Sequence, residues 1–423
     1  MAKIIVAAPP ITGELTPLLQ LAGGLSGRGH HITMVTGSRF RAVVESAGLA
    51  FTPVAGPADF DDRLFGADPE RAKLAPGPEM INYDWAHAFV NPVPDLHSVL
   101  QRLLEQDPDQ YLVCNTLWLG ALPVALGAPG RRPRRWVAVT AVPLPLSSDD
   151  TTFFGPVPAG PDGDQKAANR AANAQFAGML QPTQDRLVAL LESLGATRDL
   201  PTFVDGIFTI PDATAALAVP GVEFARGDAP ASLHLVGLLP GSTNPGWQPP
   251  AWWAELDASR PVVVVTQGTL ANRDLSELVE PALVGLAERD VTVVAALGRE
   301  PGALSISVPA NARVAEFIPF SAILPKASVY ITNGGYGGTQ QALAAGVPVI
   351  VAGVTEDKPA VAARIAHHGL GISLQTGTPT PEAVADATGS LLKDATIRDN
   401  VAKIAQVYAA HNALDEIERL ILG

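Results

Sequence analysis

The chain has one cysteine, Cys114, in 423 residues, so it offers neither an internal disulfide nor a cysteine-based metal cluster. Its eight histidines lack ligand spacing: His30-His31 and His367-His368 are adjacent pairs, not i,i+4 pairs, and no metal site is expected. Positive charge is in short supply. Twenty-nine Lys and Arg face 42 Asp and Glu, a formal net charge of −13, which is opposite to the footprint of a nucleic-acid binder. No apolar run reaches the roughly 18 residues that a spanning helix needs. The opening Met1–Ala8 is too short for a secretory leader, because Pro9-Pro10 breaks it and Glu14 follows closely. It reads instead as a buried first strand, and the chain is expected to be cytoplasmic, a monomer or homodimer.

What is present is apolar material for more than one core. Hydrophobic residues make up 47% of the chain and charged residues 17%, and 423 residues usually divide into two domains. The first segment reads strand (Ile4–Ala8), helix (Thr16–Arg28), strand (His31–Val35), with Gly27 and Gly29 at the turn. The same order recurs from Pro261. Val262–Thr266 is a continuous β-branched run, as in a parallel strand buried on both faces. A helix over Leu275–Arg289 and a strand over Val291–Leu297 follow; later come a strand (Ser328–Thr332), a helix (Thr339–Ala345) and a strand (Val347–Ala352). Between the halves, residues 238–250 are dense in Pro and Gly, a linker composition. The expectation is an α/β protein with domains over 1–237 and 253–400, a linker over 238–252, and a last helix, Val401–Ile421, that crosses back to the first domain. Residues 55–95 and 141–182 lack clean periodicity and carry Trp85, Phe89, Phe153, Phe154 and Phe176; long irregular segments of this kind often line a functional cleft.

Asn333-Gly334-Gly335-Tyr336-Gly337-Gly338-Thr339 sits between a predicted strand and helix. Glycines allow close backbone approach and a helix start offers unpaired N–H groups, which together suit a diphosphate. The same run is also compatible with an ordinary glycine-rich turn.

The surrounding segment resembles the nucleotide-sugar signature of the UDP-glycosyltransferase-like enzymes of bacterial natural-product and macrolide type. That signature runs W-x-P-Q, a strand, H-x-G-x-x-S-x-x-E, G-V-P, then D-Q. Here Phe317 and Pro319 occupy its first positions, Gly335 its central glycine, Gly346-Val347-Pro348 its G-V-P and Asp357 its acid. Thr266-Gln267-Gly268-Thr269 matches the small hydroxyl-bearing turn after the first strand of the second domain. The resemblance implies the GT-B fold, two facing Rossmann-like domains with parallel sheets. It implies a metal-independent inverting hexosyltransferase that takes a UDP- or dTDP-sugar as co-substrate, uses no cofactor, and acts on a small-molecule acceptor. Phe317 and Ile318 would meet the base. Thr266, Gln267, Gly268, Thr269 and the amides of Gly337, Gly338 and Thr339 would hold the phosphates. Asp357 would bond sugar hydroxyls, flanked by Glu356 and Lys358. Three positions depart from the pattern: Asn333 stands for the histidine, Gln341 for the ribose-contacting glutamate, and Lys358 for the final glutamine.

The family's base lies in G-H-x-x-P; here Gly13-Glu14-Leu15-Thr16-Pro17 puts a carboxylate there, with Thr16 expected as N-cap and Pro17 in the first helical turn. The aspartate that orients the histidine has Asn115 as its counterpart, a consistent exchange because two carboxylates would repel. Alternatively Glu14 is a solvated acid favoured by the helix dipole. Ile11, Trp85, Phe89, Trp118 and Phe153 are the expected acceptor contacts. Asp162-Gly163-Asp164 looks like a metal-binding D-x-D, but an N-cap at Asp164 explains it more simply. Two other functions fit the same architecture: a nucleotide-sugar epimerase and a non-catalytic nucleotide-sugar binder.

Overall fold

The computed structural model describes residues 1–423 apart from 76, 161–162, 242–245, 257–258, 269–271 and 273, together with the side chains of 65 and 66. The chain forms two compact units. Met1–Leu217, Arg226–Leu239 and Asn412–Gly423 make the first; Ala218–Ala225 and Pro240–His411 make the second.

The first unit is built on seven parallel strands, β1 (Lys3–Ala7), β2 (His31–Thr36), β3 (Ala50–Pro53), β4 (Tyr111–Asn115), β5 (Trp136–Thr140), β6 (Ala213–Ala216) and β7 (Leu233–Leu235). Their order is β3-β2-β1-β4-β5-β6-β7. The period-two pattern of β1 explains why it lies at the centre: Ile5 and Ala7 enter one core, Ile4 and Val6 the other, so neither face meets water. Each large aliphatic side chain buried in this way contributes about 1.5–3 kcal/mol. Helix α1 (Thr12–Gly27) follows β1 and buries Leu15, Leu18, Leu21, Ala22 and Leu25 against it.

The second unit has six parallel strands, β8 (Val262–Thr266), β9 (Thr292–Ala296), β10 (Ala312–Ala315), β11 (Val329–Thr332), β12 (Val349–Val351) and β13 (Gly371–Ser373). Their order, β10-β9-β8-β11-β12-β13, is that of the first sheet less one strand. Helices α2 (Tyr336–Ala344) and α3 (Lys358–His367) follow β11 and β12, and α4 (Ala395–Ala409) packs on α2. In each sheet the chain reverses direction between the first strand and the fourth, which leaves a crevice at the carboxyl ends of β1 and β4 and of β8 and β11.

Two helices depart from the expectation. Val401–Ile421 is not one helix: α4 stops at Ala409, and a separate helix, α5 (Ala413–Leu422), begins after Asn412, whose side chain accepts from the Asp415 N–H at 3.2 Å. Val401, Ile404 and Tyr408 are buried in the second unit, whereas Ala413, Ile417 and Ile421 join the core of the first. α5 is held there by Arg28, which pairs with Asp415 and Glu418, and by His30, 2.7 Å from Glu418. Helix α1 starts at Thr12, not at Thr16. Pro17 is therefore inside the helix and forfeits a bond to Gly13 O, and the Thr16 hydroxyl turns back to Thr12 O at 2.7 Å.

Candidate functional site

The crevice of the first sheet brings Glu14 and Asn115 together. Asn115 ends β4 and is fully buried. Its Nδ2 donates to Glu14 Oε2 at 2.5 Å, and its Oδ1 accepts from the Leu117 N–H at 2.8 Å. Both ends of the amide are thus engaged, which fixes which end faces the carboxylate. Glu14 lies in the first turn of α1, half-buried, where the helix dipole favours its charge. Ile11 is the N-cap, and its carbonyl accepts from Leu15 at 2.9 Å.

The start of α1 is secured by a residue that the sequence reading did not single out. Asp62 Oδ2 accepts from the Thr12 N–H at 2.8 Å and the Thr12 hydroxyl at 2.9 Å. Arg39 pairs with Asp62 and Asp61 and donates to the Thr12 hydroxyl at 2.8 Å. An N-capping acid fifty positions away leaves no local signature, so only the fold reveals it.

Of the expected acceptor contacts, Trp85 and Phe89 are half-buried and meet edge-on at 6.0 Å, with Trp85 also edge-on to Phe203 at 5.2 Å. Phe153 belongs to a different aromatic group, stacked on Phe176 at 5.7 Å beside the exposed Phe154. Trp118 is buried instead. It is 1% exposed within the first unit's core, its ring lying over Gly120, so it is a core residue of this unit and not an exposed aromatic contact. Asp164 caps the helix Gln165–Met179 by accepting from Ala167 N at 2.9 Å, and Asp162 lies outside the described residues.

In the second unit, α2 begins one residue after Gly335. The Thr339 N–H closes the first helical bond to Gly335 O at 3.0 Å. The amides directed out of the helix end are consequently those of Tyr336, Gly337 and Gly338; Thr339, whose side chain is also buried, leaves the phosphate set. Gly335 and Gly337 are exposed. Gly338 packs so closely that a Cβ would come within 2.7 Å of the Tyr330 hydroxyl. Gln341 folds back along the helix, its Nε2 3.3 Å from Gly337 O. Asn333 Nδ2 donates to Gln267 O at 2.6 Å, joining the loop after β11 to the loop after β8.

Gln267 has a different role from the one its position suggested. Its Nε2 donates to Asp274 O at 2.9 Å, and its Oε1 accepts from Leu278 and Val279 at 3.3 and 3.1 Å. The side chain shapes the loop and caps the helix Val279–Leu286 instead of reaching for a ligand. Thr266 Oγ1 accepts from Gly268 N at 3.1 Å, and Thr269 lies outside the described residues. Phe317 is 53% exposed and Ile318 is buried.

The acidic segment after β12 contains a buried cation. The Lys358 stem lies against Gly353, where a Cβ would stand 2.7 Å from Lys358 Cδ and 1.9 Å from Asn333 O. Its ammonium pairs with the exposed Glu356 and is 3.2 Å from Thr355 Oγ1. Glu356 adopts φ +56°, a left-handed conformation uncommon for a residue with a side chain. Asp357, half-buried as the N-cap of α3, has its pKa pushed up to about 6 by burial, opposed by the Lys358 charge.

Residues 280–421 match a family model described as the C-terminal domain of proteins like erythromycin biosynthesis protein CIII. The chain is 36% identical to UDP-glycosyltransferase 2 of Phaeomoniella chlamydospora, across 98% of this chain and 94% of that one. It is 34% identical to 4'-demethylrebeccamycin synthase of Lentzea aerocolonigenes, across 100% and 99%. Among solved structures, the calicheamicin glycosyltransferase CalG4 superposes with a TM-score of 0.77 at 22% identity, covering 99% of this chain and 98% of that one. Sheet order, the two crevices and these full-length relatives agree: the chain belongs to the UDP-glycosyltransferase-like family and is a glycosyltransferase of GT-B fold.

Proposed function

We propose that this glycosyltransferase moves a sugar from a nucleoside diphosphate, UDP or dTDP, to a hydroxyl of a small-molecule acceptor, with inversion and without a metal. The observation that carries the reading is the 2.5 Å bond from Asn115 to Glu14 at the crevice of the first sheet. A buried amide that is itself held in place orients the carboxylate, and a general base has to be held within reach of the proton it takes. Glu14 accepts the acceptor's proton as the hydroxyl oxygen bonds to the anomeric carbon and the carbon–oxygen bond to the diphosphate breaks. The outward amides of Tyr336, Gly337 and Gly338 take up the charge that develops on the leaving group. Lys358 supplies a cation beside the same loop, and Asp357 accepts from sugar hydroxyls.

In support, the relatives include a named UDP-glycosyltransferase and 4'-demethylrebeccamycin synthase. The test follows donor turnover with and without hydroxylated aromatic acceptors, in chelator, with the product anomer assigned by NMR. Acceptor-dependent transfer with inverted configuration is expected. Donor isomerisation without acceptor would point to an epimerase, and binding without turnover to a non-catalytic receptor. Retention of configuration, or dependence on a divalent cation, would remove that part of the mechanism.

A further inference from the structure

We propose that Tyr336 is a positioning residue for the donor site, anchoring the first turn of α2 to α3 through a buried Glu223–Arg364 pair. The inference rests on reading that turn as the diphosphate cradle. Tyr336 is the first residue of α2, so its backbone N–H is among those aimed out of the helix, while its side chain runs inward and is 5% exposed. Its hydroxyl donates to Glu223 Oε1 at 2.5 Å. Arg364, from α3, donates through Nε to the same oxygen at 3.0 Å and through Nη2 to Oε2 at 2.9 Å. The guanidinium also donates to Ala360 O at 3.0 Å and lies 4.6 Å from the centre of the Phe224 ring. One carboxylate therefore joins the start of the glycine helix to the helix that begins at Asp357 and Lys358.

A structural role alone gives a weak reason for this arrangement. Glu223 and Arg364 are 2% and 1% exposed, and apolar residues of similar volume stabilise such a position at least as well as a buried ion pair. What the polar set adds is direction, since a bidentate guanidinium holds the carboxylate in one orientation and the carboxylate in turn holds the phenol. Burial and the charge of Glu223 raise the Tyr336 pKa well above its ordinary value, so the hydroxyl remains a donor. No local pattern signals this pair, because Glu223 lies in Ala218–Ala225, a segment that leaves the first unit between β6 and β7 to join the second.

A second buried tyrosine, whose pKa is raised by burial and by the charge of Glu223, offers a comparison within the same cluster. One turn further along α2, Gln340 Oε1 accepts from the Tyr408 hydroxyl at 2.7 Å, and Tyr408 is equally buried. That bond secures the helix but not its first turn. UDP and dTDP are titrated calorimetrically into the wild-type protein and into Tyr336→Phe and Tyr408→Phe, with melting temperatures and transfer kinetics alongside. Tyr336→Phe is expected to weaken nucleoside diphosphate binding about tenfold and to raise the donor KM in proportion, leaving the acceptor KM unchanged. Tyr408→Phe is expected to lower the melting temperature and leave affinity unchanged. Wild-type affinity in Tyr336→Phe, or the same loss in both variants, overturns the proposal. If wild-type protein binds neither nucleotide, the cradle reading fails and this inference with it. Should Tyr336→Phe not fold, the double variant Glu223→Leu, Arg364→Met replaces the pair by apolar residues; it must show the same affinity loss, and retained affinity overturns the proposal.

Discussion

The two crevices of this protein are built alike and engaged differently. Each sheet ends its fourth strand in chain order at an asparagine, Asn115 closing β4 and Asn333 following β11, and each asparagine donates Nδ2 across the crevice to the segment after the first strand, at 2.5 and 2.6 Å. In the first unit the acceptor is the Glu14 carboxylate; in the second it is the backbone carbonyl of Gln267. An amide bonded to a carboxylate orients a group that can take a proton. An amide bonded to a carbonyl fixes the path of a loop whose amides can hold an anion. On the proposed mechanism the same residue at the same topological place would serve chemistry in one unit and binding in the other, and substitutions at the two places should separate along that line.

The largest effect is expected at Glu14. Glu14→Gln keeps the size and polarity of the side chain but cannot accept a proton in the transition state, so kcat should fall by about 10²–10⁴, with nucleoside diphosphate affinity unchanged by calorimetry. Near-wild-type transfer by this variant would falsify the assignment of Glu14 as the base. Next comes Asn115→Asp, which places a buried carboxyl against Glu14. Like charges at that separation share a proton and raise the apparent pKa of the pair, so the acidic limb of the pH–rate profile should move upward by at least about one unit. A profile that stays in place would mean that Asn115 does not set the state of Glu14.

The second crevice should respond with smaller changes and in a different constant. Asn333→Ala removes the bond to Gln267 O and leaves that carbonyl without its partner, which should weaken donor binding by about tenfold. The transfer rate at saturating donor should change less than affinity. A variant that lost kcat and kept affinity would place Asn333 with the chemistry, and the contrast between the two asparagines would collapse.

How far these arrangements could be read from the sequence depended on how local their causes are. β8 was legible residue for residue, because Val262–Thr266 is apolar on both faces as a central parallel strand must be. Glu14 and Asn115 were paired because a family pattern placed them, 101 positions apart. Three failures share one cause. The α1 start was misplaced because the acid that caps it is Asp62, outside any local window. Trp118 looked like a binding aromatic, but burial is decided by what packs around it. The carboxamide of Gln267 is engaged by the backbone of Asp274, Leu278 and Val279, which the motif does not encode. The Glu223–Arg364 pair, 141 positions apart, was invisible for the same reason.

The smallest effect separates the two carboxylates instead of the two asparagines. Glu14 is assigned proton transfer, whereas Asp357 is assigned only hydrogen bonds to the sugar, and its pKa is raised by burial to about 6. An ionised carboxylate accepts charge-assisted bonds that its protonated form cannot. The sign follows: donor binding favours the ionised form, so affinity for the intact nucleotide-sugar should fall as pH drops through about 6. The loss should be about fivefold, the difference between a charged and a neutral acceptor. UDP and dTDP lack the sugar, so their affinity should not follow this titration. Asp357→Asn should bind the nucleotide-sugar about as weakly at pH 7 as the wild type does at pH 5 and should lose the pH dependence. If the nucleoside diphosphates alone showed the same titration, Asp357 would be acting on the phosphates, and the division of labour between a sugar-binding acid and a phosphate-binding helix start would have to be redrawn.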